Sequence, residues 1–188
     1  MFCGSNVGSH PAFVDHAAGL GAALAERDVG LVYGGGHVGL MGVVADAALA
    51  GGGEVIGVLT DALVRSEIAH PGLTSLEVVA SMHERKARMA DLASGFIALP
   101  GGYGTLDETI ELLTWNQLGL ITKPVVFLDV DGFFAPLFAF FDTAVAGAFI
   151  RPSHRELAQR VGTIEQAVER AIARAPQTPH KWIDRDRA

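Results

Sequence analysis

Short apolar runs alternate with amphipathic segments along almost the whole chain. The apolar runs predict strands at residues 1–5, 29–33, 54–59, 76–80, 95–100 and 124–129, and a short one at 161–164. Apolar residues spaced three or four apart predict helices at 11–27, 39–50, 82–94, 105–118, 133–147 and 165–174. We expect the segment between the third and fourth strands to be irregular, and 148–160 to be polar surface chain.

This alternation is typical of a parallel sheet covered by helices on both faces, because its strands are apolar along their whole length. The pattern therefore predicts an α/β fold, a Rossmann-like doubly wound parallel sheet. We expect one domain over residues 1–175, followed by a polar tail at 176–188.

Composition narrows the class of partner. Hydrophobic residues make up 49% of the 188 residues and charged residues 19%, which favours a homo-oligomer, most simply a homodimer. A net charge of −7 argues against nucleic acid as a partner. The most apolar stretch, 125–150, is interrupted by Asp129, Asp131 and Asp142, so we expect no membrane span. Cys3 is the only cysteine, which favours a buried structural thiol and a cytoplasmic location.

Three glycine-rich turns follow predicted strands: CGSN at 3–6, YGGGHVGLMG at 33–42 and PGGYGT at 100–105. The carboxyl ends of parallel strands share one edge of a sheet, where such folds bind ligands. We therefore expect a nucleotide-sized pocket there. Residues 34–39 also satisfy the dinucleotide pattern G-x-G-x-x-G, but they lie in the second turn, and Asp61 falls just beyond the end of the next strand. The alternative is close packing of strand and helix around a smaller ligand.

Two cations stand in the first turns of the predicted helix 82–94. Arg85 and Lys86 oppose the helix dipole there, so we interpret them as candidates for binding an anion. Arg88 is expected to lie on a solvated face.

Thr105–Glu108 fits the capping box S/T-x-x-E, which stabilises a helix by about 1 kcal/mol. Gly101, Gly102 and Gly104 would also let main-chain amides approach a phosphate at the start of the same helix. The residues by themselves predict a phosphate-bearing small ligand with an arginine and a glutamate beside it.

Two segments together resemble the signatures of a known family. PGGYGTLDE resembles PGGxGTxxE, and MHERKARM resembles MHxRK, of the LOG family of cytokinin-activating phosphoribohydrolases; the similarity extends over about residues 1–165. The resemblance implies hydrolysis of the N-glycosidic bond of adenosine 5′-monophosphates, including N6-substituted ones, without metal or organic cofactor. It implies that Arg85 and Glu108 are the catalytic pair.

The same resemblance implies further positions that contact the nucleotide. These substrate-binding positions are Glu67, Arg85, Lys86, Gly102, Tyr103, Gly104, Thr105, Leu106, Asp107, Glu108 and Thr114, to which the glycine argument adds Gly101. Glu67 is equally well interpreted as one acid of a polar loop.

Two other functions stay open. One is a non-catalytic nucleotide-binding or sensing protein on the same fold. The other is a lysine decarboxylase, which needs a lysine that carries pyridoxal phosphate; the chain has Lys86, Lys123 and Lys181, none in a convincing setting.

Overall fold

The computed structural model describes residues 1–66 and 69–175. The helices of this part are α1 (Pro11–Glu26), α2 (Gly39–Ala50), α3 (Asp61–Arg65), α4 (Met82–Leu92), α5 (Tyr103–Leu118), α6 (Ala135–Ala146), α7 (Pro152–Arg155) and α8 (Ile164–Ile172). The strands are β1 (Leu31–Tyr33), β2 (Val55–Thr60), β3 (Ser75–Val79), β4 (Phe96–Ala98), β5 (Val125–Leu128) and β6 (Ala158–Val161).

The strands form two parallel three-stranded sheets, β1-β2-β3 and β4-β5-β6. The first two residues join them. The amino group of Met1 donates to the carbonyl of Val32 at 2.7 Å, and the amide of Phe2 donates to the carbonyl of Ile97 at 3.0 Å. The predicted first strand is thus a single parallel bridge, Phe2 to Ala98, at the point where the winding of the sheet reverses.

Alternate strand residues point into two separate cores. Ile97 and Leu99 pack with α1, α2 and α8 on one face, whereas Phe96 and Ala98 pack with α4, α5 and α6 on the other. The period of two along β4 therefore confirms that helices cover both faces of the predicted doubly wound sheet.

Three stretches were predicted wrongly. Residues 148–160, expected to be polar surface chain, contain α7 and most of β6, and His154, Leu157 and Ala158 are buried. The segment after β2, expected to be irregular, begins with α3, which Thr60 caps by accepting a hydrogen bond from the amide of Leu63. The strand expected at 161–164 lies three residues earlier, because Ala158 and Val161 are buried and Thr163 already caps α8.

Among the described residues, no helix combines the length and the apolar character needed to cross a membrane. The single domain over 1–175 stays a prediction, and the tail at 176–188 lies outside the described residues.

Candidate active site

The three glycine-rich turns meet at one edge of the sheet, as predicted. The amide of Gly4 donates to the carbonyl of Pro100 at 3.0 Å, and the amide of Leu40 donates to the carbonyl of Gly4 at 3.1 Å. Gly39 has a φ of +61°, and a Cβ added there would lie 2.2 Å from the carbonyl carbon of Ser5. Gly34 and Gly39 of the dinucleotide-like pattern therefore have no room for a Cβ beside protein atoms, which favours the close-packing alternative.

Helix α4 begins with a variant of the capping box, in which Glu84 binds the amide one residue before the N-cap Ser81, and the sequence analysis missed it. The hydroxyl of Ser81 accepts from the amide of Glu84 at 3.1 Å, and the Glu84 carboxylate accepts from the amide of Ala80 at 2.9 Å. The letters SMHE at 81–84 fit the S-x-x-E pattern and were a usable signal. This cap fixes the start of the helix at Met82, three residues before Arg85.

Arg85 is buried and is held by three acceptors from three different parts of the chain. Its Nε donates to the carbonyl of Val58 at 2.8 Å, and its Nη2 donates to the carbonyl of Gly34 at 3.2 Å. Its Nη1 donates to Oε1 of Glu108 at 2.9 Å. The guanidinium therefore has one orientation, pointing to the glycine edge of the sheet.

Glu108 does not belong to a capping box, so that prediction was wrong. Helix α5 begins at Tyr103 after Gly102, and no side chain caps it. Thr105 is buried in the first turn of the helix. Its hydroxyl packs against Gly101 so closely that Gly101 has no room for a Cβ. The Glu108 carboxylate is consequently free of the main chain of the helix start and pairs with Arg85 instead.

Burial sets the protonation behaviour of Glu108. Removal from water raises the pKa of this carboxyl above its ordinary value, and the Arg85 guanidinium offsets only part of that rise. A carboxylate whose pKa lies nearer neutrality is a better proton acceptor while it stays ionised.

The start of α5 presents small, exposed residues. Gly102 and Gly104 are exposed, and a Cβ on either would meet nothing within 4 Å. Tyr103, between them, is 94% exposed. With no side-chain cap, the first amides of the helix are open to an anion from outside.

Lys86 is engaged by acids of α5. Its Nζ lies 3.1 Å from Oδ2 of Asp107 and 3.0 Å from Oε2 of Glu111. Burial lowers the pKa of this ammonium, but the two carboxylates outweigh burial and raise it overall. Arg88, expected on a solvated face, makes a two-bond ion pair with Glu77, at 2.6 and 2.9 Å.

Comparison with known proteins gives the family. Residues 41–171 match the family model described as "Possible lysine decarboxylase". A cytokinin riboside 5′-monophosphate phosphoribohydrolase of Arabidopsis thaliana is 49% identical over 157 residues, covering 84% of this chain and 72% of its own. One from Oryza sativa subsp. japonica is 43% identical over 192 residues, covering 97% and 79%. The chain belongs to the LOG family.

Solved structures agree on the fold. A molybdenum cofactor binding protein from Rippkaea orientalis has a TM-score of 0.67 and 23% identity, and covers 89% of this chain and 90% of its own. A Moco carrier protein from Chlamydomonas reinhardtii has a TM-score of 0.66 and 22% identity, with coverages of 89% and 90%. At this identity the likeness concerns the Rossmann-like fold alone.

Most of the site residues expected of a LOG family member come together. The starts of α4 and α5 carry Arg85, Lys86 and the run from Gly101 to Glu108. Leu106 belongs to this run, and its amide donates to the carbonyl of Gly102. Thr114 lies about 9 Å further along α5, and its hydroxyl donates to the carbonyl of Ile110. It lines a cavity of about 120 Å³ among α5, α6 and α7. Glu67 lies outside the described residues.

We predict that Gly34→Ala lowers kcat by more than about tenfold with a smaller effect on stability. The added Cβ would lie 2.2 Å from Nη2 of Arg85, so the guanidinium must move away from Glu108. Turnover and the melting temperature of the variant check this. Gly52→Ala is the control, because a Cβ at Gly52 meets no atom within 4 Å and only the φ of +78° there causes strain. Unchanged turnover in Gly34→Ala would show that the exact seat of Arg85 is unimportant.

Proposed function

We propose that the protein hydrolyses the N-glycosidic bond of adenosine 5′-monophosphates, including N6-substituted ones such as cytokinin riboside 5′-monophosphates. The products are the free base and ribose 5-phosphate. One observation carries the proposal: a buried Arg85–Glu108 pair, 2.9 Å apart, at the glycine edge of a LOG family fold.

Glu108 supplies the chemistry of bond cleavage. Departure of the base leaves positive charge on the ribose ring, as in an oxocarbenium ion, and a carboxylate next to the anomeric carbon stabilises that charge. The same carboxylate can accept a proton from the attacking water. Its partial burial strengthens both effects, because few water molecules screen its charge.

Arg85 orients Glu108 and contacts the sugar phosphate. Of its five N–H groups, one each on Nε, Nη1 and Nη2 is used by Val58, Glu108 and Gly34. One N–H on each terminal nitrogen is left for a ribose hydroxyl or a phosphate oxygen.

The phosphate binds at the start of α5. The uncapped amides at Gly102–Gly104 and the positive end of the helix dipole favour an anion there. Lys86 already lies between Asp107 and Glu111, so we assign most of the phosphate binding to main-chain amides rather than to this lysine.

The two rival functions are less well supported. A pure nucleotide sensor has no use for a buried carboxylate with a raised pKa beside an arginine. A lysine decarboxylase needs an uncharged lysine for its Schiff base. Lys86 is held charged by two carboxylates, and Lys123 donates to the carbonyl of Ala90 at 2.6 Å, so neither fits; Lys181 lies outside the described residues.

Base release tests the proposal directly. Purified protein is incubated with AMP and, side by side, with N6-isopentenyl AMP, and kcat/KM for release of each base is measured by chromatography. We expect both bases to appear, and the ratio of the two constants identifies the preferred substrate. Binding of AMP by calorimetry without base release over hours would instead support the sensor.

The pH profile is a further prediction. Because the pKa of Glu108 is raised, the acid limb of kcat/KM should lie above pH 4.5, the ordinary value for glutamate. Activity is lost as pH falls through that limb, since protonation removes the charge that stabilises the transition state. The profile is measured from pH 4 to 9 (about the range in which small domains stay folded). A limb at or below the ordinary value would contradict the burial argument.

We also propose a homodimer in the cytoplasm. Leu118 at the end of α5 and Leu120 in the turn after it are exposed at 42% and 68%, and a second copy could cover them. The buried thiol of Cys3, whose pKa burial raises to about 12, suits a reducing compartment. Light scattering of the purified protein checks the dimer.

A further inference from the structure

The loop after β1, Gly34–Gly36, helps to hold the guanidinium of Arg85 in place. The carbonyl of Gly34 accepts from Nη2, and the contact is so close that Gly34 has no room for a Cβ. Any movement of this loop therefore moves the guanidinium, and with it the hydrogen bond from Nη1 to Glu108.

The loop has no side chain with which to hold itself in place. Gly35 has a φ of +73° and packs its backbone against Leu59, so it too must be glycine. The position of the loop therefore depends on hydrogen-bond donors outside it, which bind the carbonyls of Gly35 and Gly36.

Those donors come from Tyr33 and His70. The hydroxyl of Tyr33, fully buried, donates to the carbonyl of Gly36 at 3.1 Å. The amide of His70 donates to the carbonyl of Gly35 at 2.9 Å, and Ala69 forms an antiparallel bridge with Gly36.

His70 is itself fixed through both ring nitrogens. Its Nδ1 accepts from the amide of Gly72 at 3.1 Å, which leaves Nε2 to donate to Oδ1 of Asp46 on α2 at 3.0 Å. The ring is 7% exposed, so its orientation is set by these two bonds. Asp46 thus ties the 69–72 segment to α2, and that segment holds the loop.

We propose that Tyr33 and the His70–Asp46 pair are positioning residues, which fix the Gly34–Gly36 loop and thereby hold Arg85 against Glu108. Neither contacts the nucleotide in this proposal; each acts through the loop. The role deepens the proposed function and rests on it for its catalytic meaning, although its structural part can be measured without turnover.

The consequence appears in the titration of Glu108. Four groups face this carboxyl: Arg85 from α4, Asp107 from α5, and the amino group of Met1 and the thiol of Cys3 from the N-terminal segment. Among them Arg85 makes the largest contribution that opposes burial. Loosening the loop weakens that offset and moves the pKa of Glu108 upward, while the other three groups stay in place.

The test is a titration of Glu108 by carboxyl ¹³C NMR, with the signal assigned by its loss in Glu108→Gln. We expect Tyr33→Phe and Asp46→Ala each to raise its midpoint by about 0.3 to 1 pH unit relative to the unmodified protein. Gly34→Ala, which displaces Arg85 directly, serves as the positive control. Each variant judges its own residue, and a midpoint unchanged within about 0.1 pH unit overturns the role of that residue.

Two control variants separate positioning from lost stability. Asp15→Ala makes the same change at an exposed aspartate of α1 and should leave the midpoint unchanged. Val168→Ala removes buried methyl groups in α8, which packs against α1, β4 and β5, and lowers stability without removing a hydrogen bond of the loop. If Val168→Ala moves the midpoint as much as Tyr33→Phe does, the effect is one of stability and the proposal is wrong.

Activity provides the second reading. In Tyr33→Phe and Asp46→Ala the acid limb of kcat/KM should move to higher pH together with the midpoint. For a shift of half a pH unit, activity at low pH then falls about threefold more than activity at the plateau. Absence of base release by the unmodified protein would defeat the proposed function, yet the NMR titration would still decide whether Tyr33 and Asp46 position Arg85.

Discussion

Glu108→Gln is expected to lower kcat for base release from AMP by about 10²–10⁴-fold. Gln cannot accept the proton of water and carries no negative charge to stabilise the ribosyl cation. It is nearly the same size and keeps an oxygen that can accept from Nη1 of Arg85. The fold should therefore survive, with a loss of unfolding free energy below about 2 kcal/mol.

The structure makes this prediction sharper than the sequence could. Had Glu108 closed a capping box, its replacement would have weakened the start of α5. The helix instead begins at Tyr103 without any side-chain cap, so there is no cap to lose. Turnover, measured by a discontinuous assay, and the melting temperature, measured by calorimetry, together distinguish a catalytic role of Glu108 from a capping role.

A matched control removes a different carboxylate from a different arginine of α4. Glu77→Gln breaks the two-bond pair with Arg88 and should leave kcat within about twofold, because exposed pairs contribute little and this one lies away from the glycine turns. If Glu108→Gln retained full turnover, the assignment of Glu108 would be wrong. A large fall in melting temperature with the loss of turnover would make its role structural.

Arg85→Met has the second large expected effect, on stability as well as on turnover. The change leaves the carbonyls of Val58 and Gly34 without their donor and leaves Glu108 without its cation. Removing one member of a buried ion pair costs about 3–5 kcal/mol. Base release should become undetectable, because the carboxylate loses both its orientation and the cation that favours its ionised form.

The stability deficit of Arg85→Met should depend on pH. Without Arg85 the pKa of Glu108 rises further above its value in the unfolded chain, so the folded state holds the proton more strongly. That contribution is present at low pH and is lost as pH rises through the folded pKa. Urea unfolding at pH 5 and pH 8 (about the limits of easy handling) should therefore show the larger deficit at the higher pH.

Arg88→Met is the control for this pair of measurements. Its ion pair with Glu77 is about half exposed, and we expect a loss of about 1 kcal/mol or less at either pH. A deficit in Arg85→Met that is equally small, or one that grows toward low pH, would contradict the assignment of Arg85 as the cation that keeps Glu108 ionised.

Much of the fold could be read from periodicity alone. Helix α2 lies at the predicted residues, and the strands at 31–33, 55–60 and 125–128 each fall within one residue or two of the predicted runs. Periodicity succeeds there because it reports which side chains are buried, and burial in a parallel sheet leaves continuous apolar runs. It failed at Ala158–Val161, where only the first and last residues are apolar, and at α3, which is too short to show a period.

The candidate site divides in the same way. The sequence by itself determined that three glycine turns share one edge, that Arg85 stands at an unfavourable end of its helix, and that Glu108 belongs beside it. These inferences depend on residue types and on the order of elements, which the letters contain. Only the tertiary structure decided that Ser81 and not Thr105 caps a helix through a capping box, and that Lys86 lies between two acids.

The hydrogen bonds of Arg85 show why the sequence did not predict these contacts. Two of its three acceptors, the carbonyls of Val58 and Gly34, are main-chain atoms that every residue possesses, so no pattern of letters distinguishes them. They become acceptors because β1, β2 and α4 pack side by side, which depends on contacts between residues far apart in the chain. The sequence determined which side chains could do the chemistry, and long-range packing decided what holds them in place.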